Sequence, residues 1–427
     1  MDHDSTSPTL GPVSRRRFLG GAIATAGTAA AALGFPVVLR AAAAEIFIPI
    51  VTTASGPSAD WGIHLSQGCQ LVFDEVNARG GIKSLGGATI HSQVFDTEGK
   101  HDVEQKLLRK AMAMNPVVIV AGTSSQGNLV FAPIAEKEEV IHIAALGLGT
   151  DIPAAGPRWT FQMNAGVDVL CAVAVEFVGT IAKETGKVPR RVAIMHEDSY
   201  FGKSGGDAYK ALVAKQSAWE LVDTYSYSEK QQDFSTIIAK YKAAKVDIVF
   251  QANYPQDSIL IMRTVETLRF NPMAIIGVAG GSDTLQFLKQ LGKTAEYFFN
   301  VAIFPGDLNQ NPKIKPLADK YEARYKRPLF QANSIGITTA GMIVDALDRA
   351  GTTDKYKLRD AIAKTNLKLG DSYVVNPDGV RFGEIGKNLA IRGIMTQVLQ
   401  GDRFAVWPKQ HSVKSPVWPW PAWEARA

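Results

Sequence analysis

The stretch from Ile46 to Ile82 constrains the fold more than any other part of this 427-residue chain. Its first residues, Ile46–Val51, form an apolar run that is too short for a helix and has no polar alternation, which predicts a parallel strand covered on both faces. The turn Thr52–Trp61 follows, at a position where open α/β sheets bind ligands. A helix is predicted next, because apolar side chains recur at helical spacing and paired glycines close the segment: Leu65, Cys69, Val72, Val76, Gly80 and Gly81.

The alternation of strand and helix recurs along the chain and predicts doubly wound parallel sheets in two α/β halves. The first half continues with strands and helices at Thr89–Phe95, Asp102–Met114, Val117–Ala121, Asn128–Lys137 and Val140–Leu146. The second half has them at Val192–Met195, Gly202–Lys215, Ser235–Ala244, Ile248–Gln251, Ser258–Leu268 and Ala274–Val278. A long helix is predicted at Asn333–Ala350.

The N-terminal residues have the pattern of a twin-arginine export signal. Arginines precede Phe-Leu in Ser14–Leu19, and the uncharged, Ala/Gly-rich run Gly20–Leu39 follows. Small residues at Ala41–Ala44 offer a cleavage site. An uncleaved membrane anchor is the alternative, although Pro36 and the Ala/Gly composition make the run a poor span. We therefore expect a signal peptide over residues 1–44 and a soluble protein outside the cytoplasmic membrane.

Charge and cysteine content exclude several classes of function. Residues 45–427 carry a formal net charge of +3 without a dense run of Lys or Arg, which argues against a nucleic-acid or membrane-surface partner. The two cysteines, Cys69 and Cys171, lie in apolar helical patterns, so buried thiols are expected, with a disulfide as the alternative. The sequence predicts neither a metal site nor a cofactor.

Two common catalytic motifs are absent from the sequence, which has no phosphate-binding loop and no H-E-x-x-H. His196, beside Glu197 and Asp198, is the one candidate acid–base group. An exported hydrolase that uses His196 stays an alternative, although no nucleophile is signalled near it.

Three predicted strand ends carry polar or aromatic residues. The loop Gly122–Asn128 directly precedes a predicted helix, and hydroxyl and backbone N–H groups at a helix N-terminus suit a carboxylate. Helix capping by Ser125 or Asn128 is the alternative, and both tasks can share one loop. The other two strand ends are His196–Gly202 and Ala252–Asp257.

Four motifs together resemble the solute-binding proteins of branched-chain amino acid ABC importers. They are Asp74–Ile82 (DEVNARGGI), Gly122–Asn128 (GTSSQGN), His196–Gly202 (HEDSYFG) and Asp233–Pro255. The resemblance implies a type I periplasmic-binding fold of two Rossmann-like lobes, with doubly wound parallel sheets joined by three hinge strands. It implies an N-terminal lobe of residues 45–162 and 279–372 and a C-terminal lobe of residues 163–278 and 373–427. It further implies a monomer, not an enzyme, that closes around a small ligand and delivers it to a membrane permease.

The resemblance also suggests a ligand site, carried over residue by residue. Trp61 matches a pocket aromatic, and Thr123, Ser124 and Ser125 match the segment that holds the ligand carboxylate. Leu146, Gly147 and Leu148 match the next strand end, with Leu148 where the family often has a threonine, for which Thr150 is a possible substitute. The remaining candidates lie in the second half of the chain: Tyr200, Phe201, Tyr254 and Gln256.

Gln256 lies where amino-acid binders carry the glutamate that pairs with the ligand ammonium. We therefore hypothesise that the ligand is an aromatic or aliphatic carboxylate, or an amide, unless Asp257 or another acid reaches the site. A ligand sensor of the same fold is an alternative function. The tail Val417–Trp423 is predicted to be a proline-stiffened strap packed on one lobe, with a docking peptide as the alternative.

Overall fold

The computed structural model describes residues 44–56, 58–122, 124–153 and 158–426. The predicted export signal, up to residue 43, and the candidate Thr123 lie outside the described residues. The strands, in chain order, are β1 Glu45–Phe47, β2 Ile50–Thr52, β3 Thr89–His91, β4 Val94–Asp96, β5 Ile119–Gly122, β6 His142–Ala144, β7 Thr160–Gln162, β8 Arg191–Glu197, β9 Glu220–Tyr227, β10 Ile248–Ala252, β11 Ala274–Val278, β12 Phe299–Ala302, β13 Asn366–Leu367, β14 Val380–Arg381, β15 Ile394–Leu399 and β16 Asp402–Trp407. The helices are α1 Ala59–Ala78, α2 His101–Ala113, α3 Ser125–Glu138, α4 Val167–Thr185, α5 Tyr200–Val213, α6 Ser235–Ala243, α7 Pro255–Thr267, α8 Leu285–Leu291, α9 Lys315–Tyr325, α10 Gln331–Ala350 and α11 Lys355–Ala363.

The first sheet has five strands in the order β4-β2-β5-β6-β7, and all neighbours are parallel. The single strand predicted at Ile46–Val51 is two strands, because Pro49 has no N–H to donate and interrupts the ladder. Of these two, β1 pairs with β3 in a separate small sheet, while β2 lies at the centre of the five-stranded sheet.

The second sheet has seven strands in the order β16-β15-β12-β11-β10-β8-β9. Its strands β8 to β12 are parallel neighbours, whereas β15 and β16 add to β12 in antiparallel orientation. The sheet is therefore mixed rather than wholly parallel. The edge strand β9 was not predicted, since most of its side chains are partly or fully exposed and give no apolar run.

Two large apolar cores lie against the two sheets, and the chain passes between them three times. Apart from Leu148, which comes from the first half of the chain but packs in the second core, core membership changes between Met163 and Ala165, between Ile303 and Phe304, and between Phe382 and Ile391. Residues 279–302, which the predicted boundaries assign to the N-terminal lobe, include β12 and α8 and pack in the second core. Residues 373–382, assigned to the C-terminal lobe, contribute apolar side chains to the first core.

The C-terminal tail packs against the second core as the predicted strap. Trp420 and Trp423 are only 5% and 6% exposed. The indole Nε1–H of Trp423 donates to the carbonyl of Phe270 at 2.8 Å, and the N–H of Trp420 donates to the carbonyl of Met273. The predicted buried thiols are also confirmed, because Cys69 and Cys171 are both free and buried. Across the described residues, no helix combines the length and apolar character needed to cross a membrane.

Candidate functional site

A cavity of about 410 Å³ lies where the carboxyl ends of strands from both sheets meet. Parallel strands bring their carboxyl ends to one edge of a sheet, so the loops that follow them converge. The first wall follows strands of the five-stranded sheet and the second wall follows strands of the seven-stranded sheet. Among the residues of the first wall are Thr53, Trp61, Glu98, His101, Ser124, Ser125, Leu146, Leu148 and Asn164. The second wall includes Ser199, Phe201, Glu229, Gln232, Tyr254, Gln256 and Asp257.

Most candidates from the sequence line this cavity: Trp61, Ser124, Ser125, Leu146, Leu148, Phe201, Tyr254 and Gln256. Gly147 and Tyr200 do not. Gly147 lies behind the lining, where its carbonyl accepts a hydrogen bond from Gln162 Nε2 at 2.9 Å. Tyr200 crosses from the second wall to the loop after β6, where its hydroxyl donates to Asp151 Oδ2 at 3.1 Å and accepts from the Asp151 N–H at 3.0 Å.

The two serines at the start of α3 have separate structural tasks. Ser124 caps the helix, since its Oγ accepts the N–H of Gly127 at 3.0 Å. Ser125 Oγ accepts the N–H groups of Leu148 and Gly149 at 3.1 and 3.0 Å. Ser125 thereby holds the loop after β6 and retains its own O–H as a donor. Capping by this loop is confirmed, but the prediction that Ser125 or Asn128 is the cap is wrong, because Ser124 is the N-cap of α3.

A buried carboxylate lies against the first turn of α3. Glu104 is 3% exposed, and its Oε1 is only 1.4 Å from the position that a Cβ on Gly127 would occupy. Ser124 Oγ lies 3.5 Å from Glu104 Oε2, and Nδ1 of His101 lies 3.3 Å from the same oxygen. The hydrogen bond to Glu104 raises the pKa of His101, with a further contribution from the charge of Glu229 on the second wall. Glycine at position 127 is what leaves room for this carboxylate.

Two buried acids lie at or behind the second wall. Asp257 is 4% exposed, and its Oδ2 is 3.5 Å from both the Tyr227 hydroxyl and the Tyr254 N–H. Burial raises the pKa of Asp257 to about 7. Behind it, Glu197 is fully buried and accepts hydrogen bonds from the N–H and hydroxyl of Ser199. Burial raises the pKa of Glu197 to about 7 as well. These acids cost free energy when they are charged, so a cationic partner would stabilise them.

Aromatic side chains complete the second wall. Phe201 is 3% exposed, and its ring centroid lies 5.6 Å from that of Tyr254 in a tilted arrangement. Opposite them, Trp61 lies at the first turn of α1 and is half-buried. The cavity therefore offers apolar surface beside its polar groups, as small-molecule sites commonly do.

His196 does not belong to this site. Its Nδ1 is 2.9 Å from the carbonyl of Glu197, and its ring packs against Gly206, where a Cβ would lie 2.4 Å from Cδ2. The ring is 92% buried in the second half and does not line the cavity. Within the described residues, no group of three or more His, Cys, Asp and Glu side chains could hold a metal ion.

Several lining residues were not predicted from the sequence. Glu98 and His101 begin the segment after β4, and Glu229 and Gln232 follow β9. The signal that could have found them is their position just after a strand, but β9 itself was not recognised. Asn164, Gln331 and Ile335 reach the cavity from the crossing after β7 and from the start of α10.

Two α/β sheets whose strand ends share one cavity define the type I periplasmic-binding fold, and solved structures with this fold are similar to the chain. The leucine-binding protein LivK of Thermotoga maritima has a TM-score of 0.74 at 18% identity, over 84% of this chain and 97% of that one. LivJ of Streptococcus pneumoniae, solved in complex with isoleucine, has a TM-score of 0.72 at 17% identity, over 84% of this chain and 97% of LivJ.

Sequence comparison gives the family directly. The model of the periplasmic binding protein family matches residues 45–383, so the chain belongs to that family. Among curated relatives, the Leu/Ile/Val-binding protein homolog 7 of Brucella suis is 22% identical over 375 residues, covering 86% of this chain and 92% of the relative. The Leu/Ile/Val-binding protein homolog 8 of Brucella abortus is 23% identical, covering 88% of this chain and 94% of the relative.

Proposed function

We propose that this protein captures a small ligand between two lobes in the periplasm and delivers it to the permease of an ABC importer. Family membership and the cavity between the two sheets support this role. In the proposed role it acts as a monomer and without catalysis, after export by the twin-arginine pathway. Its lobes are built on the two cores, with crossings at residues 163–165, 303–304 and 382–391.

In this proposal the ligand carries an amino group, and the carboxylate of Asp257 accepts hydrogen bonds from the ligand ammonium. The observation that carries this proposal is a nearly fully buried carboxylate on the cavity wall, to which the described residues Tyr227 and Tyr254 donate two long hydrogen bonds. Gln256, which with Leu148 and the aromatic residues motivated the hypothesis of a ligand without an amine, lines the cavity as an exposed and neutral side chain, whereas its neighbour Asp257 lines the same cavity as a buried acid. Asp257 is the acid that this hypothesis named as its exception, and its place on the cavity wall supports a ligand with an amino group.

A comparison of leucine with 4-methylpentanoate tests this assignment, because the two differ only in the amino group. Leucine is expected to bind at least about tenfold more tightly, as loss of a charge-assisted hydrogen bond costs about 1.5–3 kcal/mol. Isothermal titration calorimetry at pH 6 in buffers of different ionisation enthalpy adds a second readout. Since an ammonium favours the charged form of Asp257, leucine should release protons on binding. Equal affinities without proton release would contradict the proposal.

Closure of the lobes depends on Gly149. A Cβ at this position would lie 2.2 Å from Cε1 of Tyr200, which reaches across from the second wall. We expect Gly149→Ala to weaken leucine binding about tenfold, because overpacking of this kind costs about 1–3 kcal/mol. Calorimetry measures the affinity, and small-angle scattering with leucine should show a larger radius of gyration than for the unmodified protein.

Gly179→Ala is the matched control for this prediction, since it adds a methyl group in α4 with no atom within 4 Å. It should leave both readouts unchanged. The double variant Gly149→Ala/Tyr200→Ala removes the obstructing ring and should recover part of the lost affinity. If Gly149→Ala binds leucine as tightly as the unmodified protein and compacts to the same extent, this contact does not govern closure.

A further inference from the structure

The charge of the cavity walls is unbalanced in a way that bears on the ligand. Among the described lining residues, the ionisable groups are Glu98, His101, Glu229, Tyr254 and Asp257, and neither Lys nor Arg is present. Lys100 pairs with Glu98 at 2.5 Å. The two acids that line the second wall, Glu229 and Asp257, have no ion pair within the part of the chain that the structure describes.

The N-terminus of α3 does not offset the excess of acidic groups on the cavity walls. A helix N-terminus normally attracts an anion, but here the carboxylate of Glu104 already lies against its first turn. Glu104 Oε1 is buried and has no hydrogen-bond partner in the described structure, while Oε2 is close to Ser124 and His101. His101 can balance one carboxylate at most.

A ligand carboxylate would be repelled at this point. The Ser124 hydroxyl donates to Glu104 Oε2 at 3.5 Å. A ligand carboxylate that accepted this hydroxyl in place of Glu104 would lie within roughly 6 Å of the Glu104 carboxylate, given ordinary hydrogen-bond lengths. Two like charges at that distance in a partly desolvated cavity disfavour each other. A neutral amide or ester oxygen could accept the same hydrogen bonds without that repulsion.

We infer that the ligand is a cation: an amine whose other end is a neutral hydrogen-bonding group rather than a carboxylate. The ammonium lies towards Asp257 and Glu229 on the second wall, and the neutral acceptor lies at Ser124 and Ser125 on the first. This inference rests on the proposed function and narrows it from amino-bearing ligands in general to ligands with a net positive charge.

Four compounds with the same carbon skeleton test the two ends of the ligand independently, because they differ only in the amine and in the choice of carboxylate or amide: leucine, leucinamide, 4-methylpentanoate and 4-methylpentanamide. Titration of each into the purified protein is expected to show leucinamide binding at least tenfold more tightly than leucine. The same four end-group combinations on a phenylalanine skeleton test whether the preference depends on side-chain shape.

The outcomes distinguish this inference from the proposed function. If leucine binds as tightly as leucinamide or more tightly, and both bind better than the compounds without an amine, the inference is overturned and the amino ligand stands. If compounds with and without an amine bind equally tightly, the proposal of an amino-bearing ligand is wrong, and the inference of a cationic ligand is wrong with it. If no member of either series binds, both are likewise overturned.

Glu104→Gln tests the cause of the preference. Removing this charge should bring the affinity for leucine to within about threefold of that for leucinamide, while leaving the preference for an amine intact. Asp102→Asn is the control on the same helix, because Asp102 is exposed and pairs with Lys106 on the outer face. An unchanged preference in Glu104→Gln would contradict the role given to Glu104. The comparison of ligands needs no variant, so it holds even if Glu104→Gln folds poorly.

Discussion

Replacing Trp423 by alanine is expected to lower the free energy of unfolding by about 3–5 kcal/mol, the usual cost of truncating a buried tryptophan. The ring is 6% exposed and packs in the second core with the guanidinium of Arg426 3.7 Å above it. Its Nε1–H donates to Phe270, and its backbone N–H donates to Asn271 Oδ1 at 2.9 Å. Denaturant unfolding followed by circular dichroism measures the loss.

Two further variants separate packing from hydrogen bonding. Trp423→Phe keeps an aromatic ring and loses the indole N–H, which should leave the Phe270 carbonyl without this partner at a cost of about 1–3 kcal/mol. Val413→Ala lies upstream of the strap with its side chain 55% exposed, so it should change stability by less than about 0.5 kcal/mol. A tail whose truncation left the unfolding curve unchanged would be a docking peptide rather than a strap.

The sequence predicted the parts of the fold that carry strong local patterns. Buried strands such as β5 and β10 are mainly apolar runs, with Gln251 the one polar side chain of β10, and their bounds agree within about two residues. Strands that are exposed or antiparallel were missed, because β9 lies at an edge and β15 and β16 join the sheet through contacts distant in sequence. The splitting of the first strand depends on Pro49, a single residue whose effect on the ladder overrode the surrounding pattern.

The candidate site shows the same division. Ser124, Ser125 and Tyr254 directly follow predicted strands, so strand ends identified them. The matched motif pointed to Gln256, yet on α7 it is the next residue, Asp257, that is buried, and one position along a helix turns the side chain by about 100°. No local pattern could have shown that Glu104, twenty residues before Ser124, lies against the start of α3, because that contact follows from the packing of α2 beside α3.

Replacing Asp257 by asparagine is expected to weaken leucinamide and leucine binding by about 150- to 5000-fold while making the ligand-free protein more stable. Removal of one partner from a buried ion pair costs about 3–5 kcal/mol, which sets the loss of affinity. Gln256→Ala is the matched control on the same turn. It removes an exposed, neutral amide and should cost no more than about tenfold.

The gain in stability follows from the raised pKa of Asp257, which is about 7 against an ordinary value of 3.8. An acid whose pKa rises on folding stabilises the folded state below its unfolded pKa, near pH 4, and this contribution is lost as the pH rises towards 7. At pH 8 the folded protein therefore holds an unfavourable charge that asparagine lacks. We expect Asp257→Asn to raise the free energy of unfolding by on the order of 2–4 kcal/mol at pH 8 and to leave it nearly unchanged at pH 4.

Thermal unfolding of both proteins across this range, without ligand, measures the difference. If the difference in stability between the two proteins stays constant from pH 4 to pH 8, the charged form of Asp257 does not destabilise the folded state. The role of Asp257 as the ammonium acceptor would then lose its physical basis. A variant that gains stability with pH and loses affinity for amines would link the two effects. The Asp257 carboxylate that destabilises the ligand-free protein would then be the charge that the ligand ammonium neutralises. Binding would therefore be strongest for a cationic ligand.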